Sequence, residues 1–316
     1  MRKDPTVPVY LITGFLDGGK TNFLKFTMGE DYFNDGSKTL LILCEEGEEE
    51  YPEDFLKKTN TVLTRIGDQA DLKPYTFEKL AKKYRPERVL IEYNGMWDVT
   101  KIIGMQFPRY WTVYQVITVL EGPSFRLYLN NLKMAAMTLL TSTDMVIFNR
   151  CDKDTDLVLY QRTVRSVNRR CELVFEDAAG KEMECPEPDL PYSIEGKRIG
   201  ISDENFGTFY IDLSAHPERY VDKEITLTLQ IIQDPSFPEN VFVAGRRAMT
   251  CCAEDIRFLP YIFIYEKART LAAQSFAEVT AVCKWEYHEG YKEEGPVFYV
   301  KEVVPVPKPA DELIYF

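Results

Sequence analysis

A glycine-rich stretch near the start of the chain has the residue spacing that binds phosphate. Gly14 and the later run Gly19-Lys20-Thr21 form the pattern in which backbone N–H groups converge on phosphate oxygens. An apolar run ends just before this stretch, and helical spacing starts at Asn22. A glycine-rich turn without a ligand is the alternative. The strand, loop and helix context favours a phosphate-binding loop at a helix N-terminus.

Two side chains of this loop would take part in the chemistry. Lys20 would reach the β- and γ-phosphates, and the hydroxyl of Thr21 would bind Mg²⁺. We therefore assign both to catalysis, and Thr21 also to the metal. The predicted nucleotide-binding residues of the loop and helix start are Gly14, Asp17, Gly18, Gly19, Lys20, Thr21 and Asn22.

Acidic residues stand at the ends of two further predicted strands. The run 45–50 follows the second strand, and Glu45 and Glu48 are its candidate metal ligands. Such a charge run is ordinarily a solvated loop, but parallel sheets bind ligands at this end of their strands. Glu92 ends another buried strand, where a carboxylate could orient Mg²⁺ or its water, and we assign it both to catalysis and to the metal. An ordinary acid at a strand end is the alternative for Glu92.

A guanine-recognition pattern follows a later apolar strand. In Asn149-x-x-Asp152 the carboxylate could accept two hydrogen bonds from guanine, whereas adenine lacks that donor pair. Asn149 would brace the loop. Arg150 stands where Lys is usual, and its planar guanidinium can cover a base. These three residues complete the predicted nucleotide site, and guanine is the predicted base.

Cys251 and Cys252 are adjacent in the second half of the chain. They could be two small buried residues on opposite faces of a strand. They could also be thiolate ligands of a metal such as Zn²⁺, joined by Asp255, Cys283 or His288. The spacing alone does not decide between these two interpretations.

Composition limits the classes of function. The 316-residue chain has a net charge of −12, which argues against a nucleic-acid partner. It contains no apolar run long enough for a direct membrane span and no apparent signal peptide. Seven Cys, an odd number, point to free thiols or metal ligands rather than a disulfide framework. We therefore expect a cytoplasmic protein.

The pattern of apolar runs predicts an α/β fold for the first half and a mainly-β second domain. Strands and helices alternate as in a P-loop NTPase with a parallel sheet and flanking helices. A stretch rich in Gly, Pro and charge then separates this half from five short strands that suit a small OB-like barrel. The predicted division is residues 1–177, a linker at 178–195, and residues 196–316.

The first half resembles the CobW/HypB/UreG group of P-loop GTPases, and is most similar to CobW. The matching residues are Gly14-Phe15-Leu16, Gly19-Lys20-Thr21, Glu45-x-Gly47-Glu48, Glu92-Tyr93-Asn94-Gly95 and Asn149-x-x-Asp152. The resemblance implies GTP hydrolysis with Mg²⁺ in the service of metal delivery to a client protein.

The chain departs from that group at three places. Asp17 stands where CobW-like loops usually have Gly, although translation-factor GTPases also carry Asp there. Cys44 replaces the Asn that precedes Glu45 in that group. The group's Cys-x-Cys-Cys metal motif is missing, because the corresponding stretch, 66–71, contains no Cys. Any metal ligands of this chain must therefore lie elsewhere.

Residues of about 200–316 resemble the OB-like domain of the bacterial YcgQ/YcgR family. The similarity lies in Arg246-x-x-Met249-Thr250-Cys251-Cys252-x-x-Asp255, preceded by Phe237-Pro238-Glu239-Asn240. Proteins of that family accompany predicted permeases and are associated with metal handling. The resemblance implies a permease-associated partner and strengthens the interpretation of Cys251 and Cys252 as metal ligands.

Together these features predict a GTPase that acts as a metallochaperone or metal-homeostasis factor. Its predicted ligands are GTP, Mg²⁺ and Zn²⁺, and its partners are a guanine nucleotide and a client that receives the metal. A homo-oligomer is compatible with the sequence. The alternative is a nucleotide-dependent regulatory or scaffold protein whose OB-like domain binds a protein partner and carries no metal.

Overall fold

The chain forms two compact units, Met1–Pro186 and Glu187–Phe316. The computed structural model describes residues 6–45, 47, 50–187, 189–249, 256–309 and 311–315. The first unit alternates strands and helices, and the second consists mainly of strands. Each unit has a hydrophobic core of its own, so the predicted combination of an α/β domain and a mainly-β domain is confirmed.

A seven-stranded sheet forms the centre of the first unit. Its strands are β1 (Val7–Thr13), β2 (Thr39–Leu43), β3 (Thr61–Arg65), β4 (Arg88–Glu92), β5 (Trp111–Glu121), β6 (Met145–Cys151) and β7 (Glu172–Asp177). They are parallel and lie in the order β3-β2-β4-β1-β5-β6-β7. Strands β2 and β4 are buried along their whole length, which explains the apolar runs 40–43 and 89–91 within them.

Helices connect the strands of this sheet. They are α1 (Lys20–Gly29), α2 (Glu53–Lys58), α3 (Pro74–Tyr84), α4 (Val99–Ile103), α5 (Gly122–Asn131), α6 (Lys133–Thr141) and α7 (Leu157–Val167). In α1 the buried side chains are Lys20, Leu24 and Met28, one on each successive turn. Residues 125–140, whose apolar spacing is helical, form the two helices α5 and α6. Leu132, at φ −132° and ψ 41°, leaves the helical region and separates α5 from α6.

The second unit is built from β8 (Arg198–Ile201), α8 (Phe206–Ala215), β9 (Glu224–Ile232), β10 (Val241–Met249), β11 (Ile256–Ile264), β12 (Phe276–His288), β13 (Glu293–Val306) and β14 (Leu313–Tyr315). Strands β9 to β13 are the five that the sequence predicts. The apolar helix α8 and the added strands β8 and β14 are not evident from the sequence pattern. Both added strands are short, and β8 pairs with β9 whereas β14 pairs with β10.

Pairing closes the five predicted strands of the second unit into a ring. Strand β9 pairs with β10 and with β12, β10 pairs with β11, β12 pairs with β13, and β11 pairs with β13. Only the last of these pairs is parallel. The ring agrees with the predicted small barrel, whereas its assignment to the OB type stays a prediction. In the described ranges no helix is long and apolar enough to cross a membrane.

Candidate functional site

The glycine-rich loop joins β1 to α1 at the centre of the parallel sheet. Gly14 has φ +134°, and a Cβ there would collide with the carbonyl oxygen of Val119 on β5. Gly19 has φ +94°, and a Cβ there would collide with the side chain of Asn149. Both positions therefore require glycine. The loop passes close to two neighbouring strands and ends at the N-terminus of α1.

Lys20 is a buried charge whose three hydrogen-bond donors all have acceptors. Its Nζ donates to the carbonyl oxygens of Gly14 at 2.8 Å and Phe15 at 2.7 Å. It also forms an ion pair with Glu45, at 2.6 Å from Nζ to Oε2, and both side chains are less than one-tenth exposed. An ammonium has three donors, and these three acceptors match them. Glu45 therefore provides the countercharge that a buried lysine needs.

Glu92 is held by hydroxyl groups on both carboxylate oxygens. Thr21 on α1 donates to Oε1 at 2.6 Å, and Tyr51 donates to Oε2 at 2.7 Å. Glu92 is 5% exposed and Tyr51 is 9% exposed. The start of α1, the end of β4 and the residues that precede α2 therefore meet at one carboxylate.

Burial at this point of the sheet keeps two neighbouring groups protonated. Burial, with smaller contributions from Glu92 and Glu45, raises the pKa of the Cys44 thiol to about 12. Burial and the nearby Glu92 also raise the pKa of Tyr51. At neutral pH, Cys44 is therefore a thiol rather than a thiolate, and Tyr51 is a neutral hydrogen-bond donor.

The guanine-recognition residues lie after β6, beside the glycine-rich loop. Asn149 Nδ2 donates to the carbonyl of Gly18 at 2.9 Å, so Asn149 braces the loop as expected. Arg150 Nη1 bonds to Glu121 Oε1 at 2.8 Å and to the carbonyl of Asp17 at 3.3 Å.

Asp152 is an exposed residue with an organised carboxylate. Its Oδ1 accepts from the hydroxyl of Thr155 at 2.8 Å and from the N–H of Asp154 at 3.0 Å. These bonds, that of Thr155 above all, lower the pKa of Asp152. Asp152 is therefore ionised at neutral pH, as a partner of the guanine N–H groups must be.

Two cavities lie beside the loop. The first, of about 210 Å³, is lined by Leu16, Asp17, Gly19, Lys20, Thr21, Asn22, Glu45, Gly47, Glu92 and Arg150. The second, of about 420 Å³, shares Gly19, Asn22 and Arg150 with it and adds the exposed rings of Phe26 and Tyr32. Asn149 lines the second cavity, whereas Asp152 is outside the described lining of both. Most predicted nucleotide-binding residues are thus brought together.

The predicted thiolate ligands cannot be placed. Cys251, Cys252 and Glu48 are outside the described residues, as is Asp255. Cys283 is fully buried in the core of the second unit, and burial raises its pKa to about 12. This disfavours Cys283 as a thiolate ligand. Within the described ranges, no three His, Cys, Asp or Glu side chains are grouped so that they could hold a metal ion.

Two residues of the site are not singled out by the sequence. Tyr51 reaches Glu92 from the loop before α2, and Glu121 at the end of β5 pairs with Arg150. Neither belongs to a short motif, because both act through contacts that are distant in sequence. The position of Glu121 at the end of a predicted parallel strand is the only sequence signal for either residue.

The residues of the first cavity fit Mg²⁺. The Thr21 hydroxyl and the Glu92 carboxylate are 2.6 Å apart and offer the oxygen ligands that this cation prefers. Both residues line the cavity that also contains Lys20. The hydroxyl, the carboxylate and the buried ammonium therefore face one space, as a nucleotide phosphate with its metal would require.

Two family models match the chain, one for each half. A model described as "CobW/HypB/UreG, nucleotide-binding domain" matches residues 8–175. A model described as "DUF1980 C-terminal domain" matches residues 177–316. The proposed similarity of the second half to YcgQ/YcgR is not confirmed by these matches. No curated protein sequence matches the chain.

Solved structures of low sequence identity also resemble the chain. Hydrogenase maturation factor HypB from Archaeoglobus fulgidus is 15% identical, with 56% of this chain and 84% of that chain covered and a TM-score of 0.41. The Zn(II)-bound YjiA GTPase from E. coli is 14% identical, with 82% of this chain and 89% of that chain covered and a TM-score of 0.43.

Proposed function

Because the chain belongs to the CobW/HypB/UreG family of P-loop GTPases, we propose that its first unit binds GTP with Mg²⁺ and hydrolyses it to GDP and phosphate. One observation carries this proposal. The buried ammonium of Lys20, the hydroxyl of Thr21 and the buried carboxylate of Glu92 line a single cavity beside the glycine-rich loop.

Lys20 would stabilise the negative charge that develops on the phosphates during transfer. Its side chain is held in place by the Gly14 and Phe15 carbonyl oxygens, so little reorganisation is needed when the nucleotide enters. A phosphate oxygen would replace Glu45 as the third acceptor of Nζ. Such prepositioned charge is the main catalytic contribution of a protein to phosphoryl transfer.

Thr21 and Glu92 would hold Mg²⁺ through the hydroxyl and, directly or through water, the carboxylate. When bound, the cation supplies countercharge to the β- and γ-phosphates. Entry of the nucleotide would displace Glu45 from Lys20 and free this carboxylate. The segment 45–50, which contains Glu48, would then change its contacts between nucleotide states, as switch segments do. Glu45 and Glu48 are the proposed additional metal ligands.

The nucleoside would occupy the larger cavity. Asn149 and Arg150 line it, and the exposed rings of Phe26 and Tyr32 offer surfaces on which a base can stack. Asp152 would accept the guanine N–H donors, as its organised, ionised carboxylate allows.

The second part of the proposal is that GTP hydrolysis serves metal handling. Cys251 and Cys252 are the proposed cargo ligands, because thiolates favour Zn²⁺ over Mg²⁺. Two ligands do not complete a tetrahedral site, so an acidic residue or a client would supply the others. In the alternative function, the second unit binds a protein partner without metal and both cysteines pack inside it.

The GTP proposal is tested with Lys20→Ala and a fluorescent GDP analogue. We expect the dissociation constant to rise about 100-fold or more, because a charge-assisted contact to phosphate is lost. Lys79→Ala removes the same charge from an exposed position on α3 and serves as the control. Equal affinity of Lys20→Ala and Lys79→Ala, with both variants folded by circular dichroism, would refute the phosphate site.

The metal proposal is tested by equilibrium Zn²⁺ titration of the full chain. The double variant Cys251→Ser, Cys252→Ser should lose micromolar Zn²⁺ binding and keep GTP hydrolysis nearly unchanged. Wild-type affinity should fall as the pH is lowered, because protons compete for the thiolates. If the wild type takes up no Zn²⁺, or if the double variant binds it equally well, the alternative function is favoured.

A further inference from the structure

Tyr51 connects the acidic segment to the buried carboxylate of the nucleotide site. It stands just before α2, and its ring is part of the hydrophobic core that also contains Leu24 and Met28 of α1. From this fixed position its hydroxyl donates to Glu92 Oε2 at 2.7 Å. The ring is therefore held by packing, while the hydroxyl reaches the site.

The two oxygens of Glu92 have different neighbours. Oε1 bonds to Thr21, whose hydroxyl would be needed for Mg²⁺, and Oε2 bonds to Tyr51. When Thr21 turns to a cation, the Oε1 contact is lost and the Oε2 contact remains. The remaining hydrogen bond to Tyr51 would then prevent rotation of the carboxylate and keep Oε1 directed at the metal shell.

The chemistry of a phenol suits this task. A tyrosine hydroxyl has an ordinary pKa of about 10, so it is a neutral donor at physiological pH. A lysine in its place would neutralise Glu92 and weaken its attraction for a cation. A neutral donor orients the carboxylate and preserves its charge.

We propose that Tyr51 is a positioning residue that orients Glu92 towards Mg²⁺ in the nucleotide site. This inference rests on the proposed function, since it concerns the same cation. Partners that orient metal-binding carboxylates ordinarily contribute about 10- to 100-fold to metal affinity.

The experiment compares nucleotide affinity with and without the metal. A fluorescent GDP analogue is titrated in excess MgCl₂ and in excess EDTA, and the readout is the dissociation constant in EDTA divided by the dissociation constant in MgCl₂. We expect Tyr51→Phe to reduce this ratio about 10-fold or more and to change the affinity in EDTA less than about twofold. A purely structural role would weaken binding equally in both conditions.

Tyr93→Phe is the matched control. Tyr93 follows Glu92 directly and is fully buried, but its hydroxyl bonds to the Asp98 carbonyl and to Gln69. Its ratio should stay within about twofold of the wild-type ratio. If Tyr51→Phe has the ratio of Tyr93→Phe while the wild type shows Mg²⁺-dependent binding, the inference is wrong and the proposed function stands. If the wild type binds no nucleotide, both are wrong.

A double variant tests whether Tyr51 acts through Glu92. Glu92→Gln removes the group through which Tyr51 is proposed to act. Adding Tyr51→Phe to Glu92→Gln should therefore leave the EDTA-to-MgCl₂ ratio of dissociation constants unchanged. A further fall of the ratio in the folded double variant would show that Tyr51 acts by another route and would overturn the inference.

Discussion

The two units handle buried charge differently. In the first unit, Lys20 is paired with Glu45 at a cavity, on a loop that follows a parallel strand. In the second unit, Arg246 is 1% exposed and bonds to Asp203 and to the carbonyl oxygens of Thr228 and Asp311. Each charge has one carboxylate partner and two carbonyl partners. The carbonyls that Lys20 contacts belong to its own loop, whereas those that Arg246 contacts belong to β9 and to the residues just before β14.

This difference distinguishes a binding site, at Lys20, from a purely structural contact, at Arg246. A phosphate can take the place of a glutamate beside Lys20 without any change of the sheet. The carbonyl partners of Arg246 instead connect β10 to β9 and to the residues just before β14. A buried arginine or lysine is thus informative about function only when its partners are known.

The largest expected effect concerns the base. Asp152→Asn should weaken GTP binding by about 2–4 kcal/mol, because the charged acceptor of two guanine donors is lost. It should shift preference towards xanthosine triphosphate, whose changed edge suits an amide. Competition of GTP, ATP and xanthosine triphosphate against the fluorescent GDP analogue measures this. Equal competition by ATP and GTP in the wild type would contradict guanine recognition.

Breaking the ion pair between Arg246 and Asp203 in the second unit should lower the stability of the fold and leave nucleotide affinity unchanged. Asp203→Asn should lower the free energy of unfolding by about 1–2 kcal/mol, because Arg246 loses its ionic partner. The loss is moderate since Asp203 is 45% exposed and partly screened by water. Urea unfolding measures it, with Glu204→Gln, the same charge change at an exposed neighbour, as the control. A change in nucleotide affinity would break the proposed division between the units.

Short motifs account for the part of the site that the sequence predicts. Gly14, Gly19 and Lys20 are recognisable because backbone approach to phosphate demands those residue types at fixed spacing. Glu92 is recognisable because a buried strand rarely ends in an acid without a reason. Tyr51, Glu121 and the break at Leu132 depend on contacts or backbone angles that no local pattern encodes. The same holds for Arg246, whose burial is fixed by the distant C-terminal segment.

A third prediction concerns the ion pair between Lys20 and Glu45. Glu45→Gln should tighten binding of the GDP analogue in EDTA about fivefold, or about 1 kcal/mol, because a phosphate then displaces a neutral amide instead of a carboxylate. Measuring in EDTA excludes any contribution of Glu45 to metal binding. Glu53→Gln, on exposed α2, should have no effect. Unchanged or weaker binding by Glu45→Gln would mean that Glu45 does not compete with the nucleotide.

The smallest expected effect tests whether a cysteine of each unit behaves as a packing residue. Burial raises the pKa of Cys44 in the first unit and of Cys283 in the second to about 12. A thiol whose pKa is raised by folding stabilises the fold fully below its unfolded pKa of about 9. That stabilisation is lost as the pH rises from about 9 towards 12, because the unfolded chain releases the proton first.

Between pH 8 and pH 9.5, each thiol should therefore lower the free energy of unfolding by about 0.8 kcal/mol. Alanine cannot ionise. Between pH 8 and pH 9.5, the free energy of unfolding of Cys44→Ala and of Cys283→Ala, measured in urea, should therefore fall by about 0.8 kcal/mol less than that of the wild type. The smaller alanine side chain also lowers stability, but by the same amount at both pH values. Comparing the change with pH therefore cancels that loss. A Cys283 that served as a thiolate ligand would have a lowered pKa, and its alanine variant would then show no such difference. That result would indicate that Cys283 is a ligand of the proposed metal site rather than a packing residue.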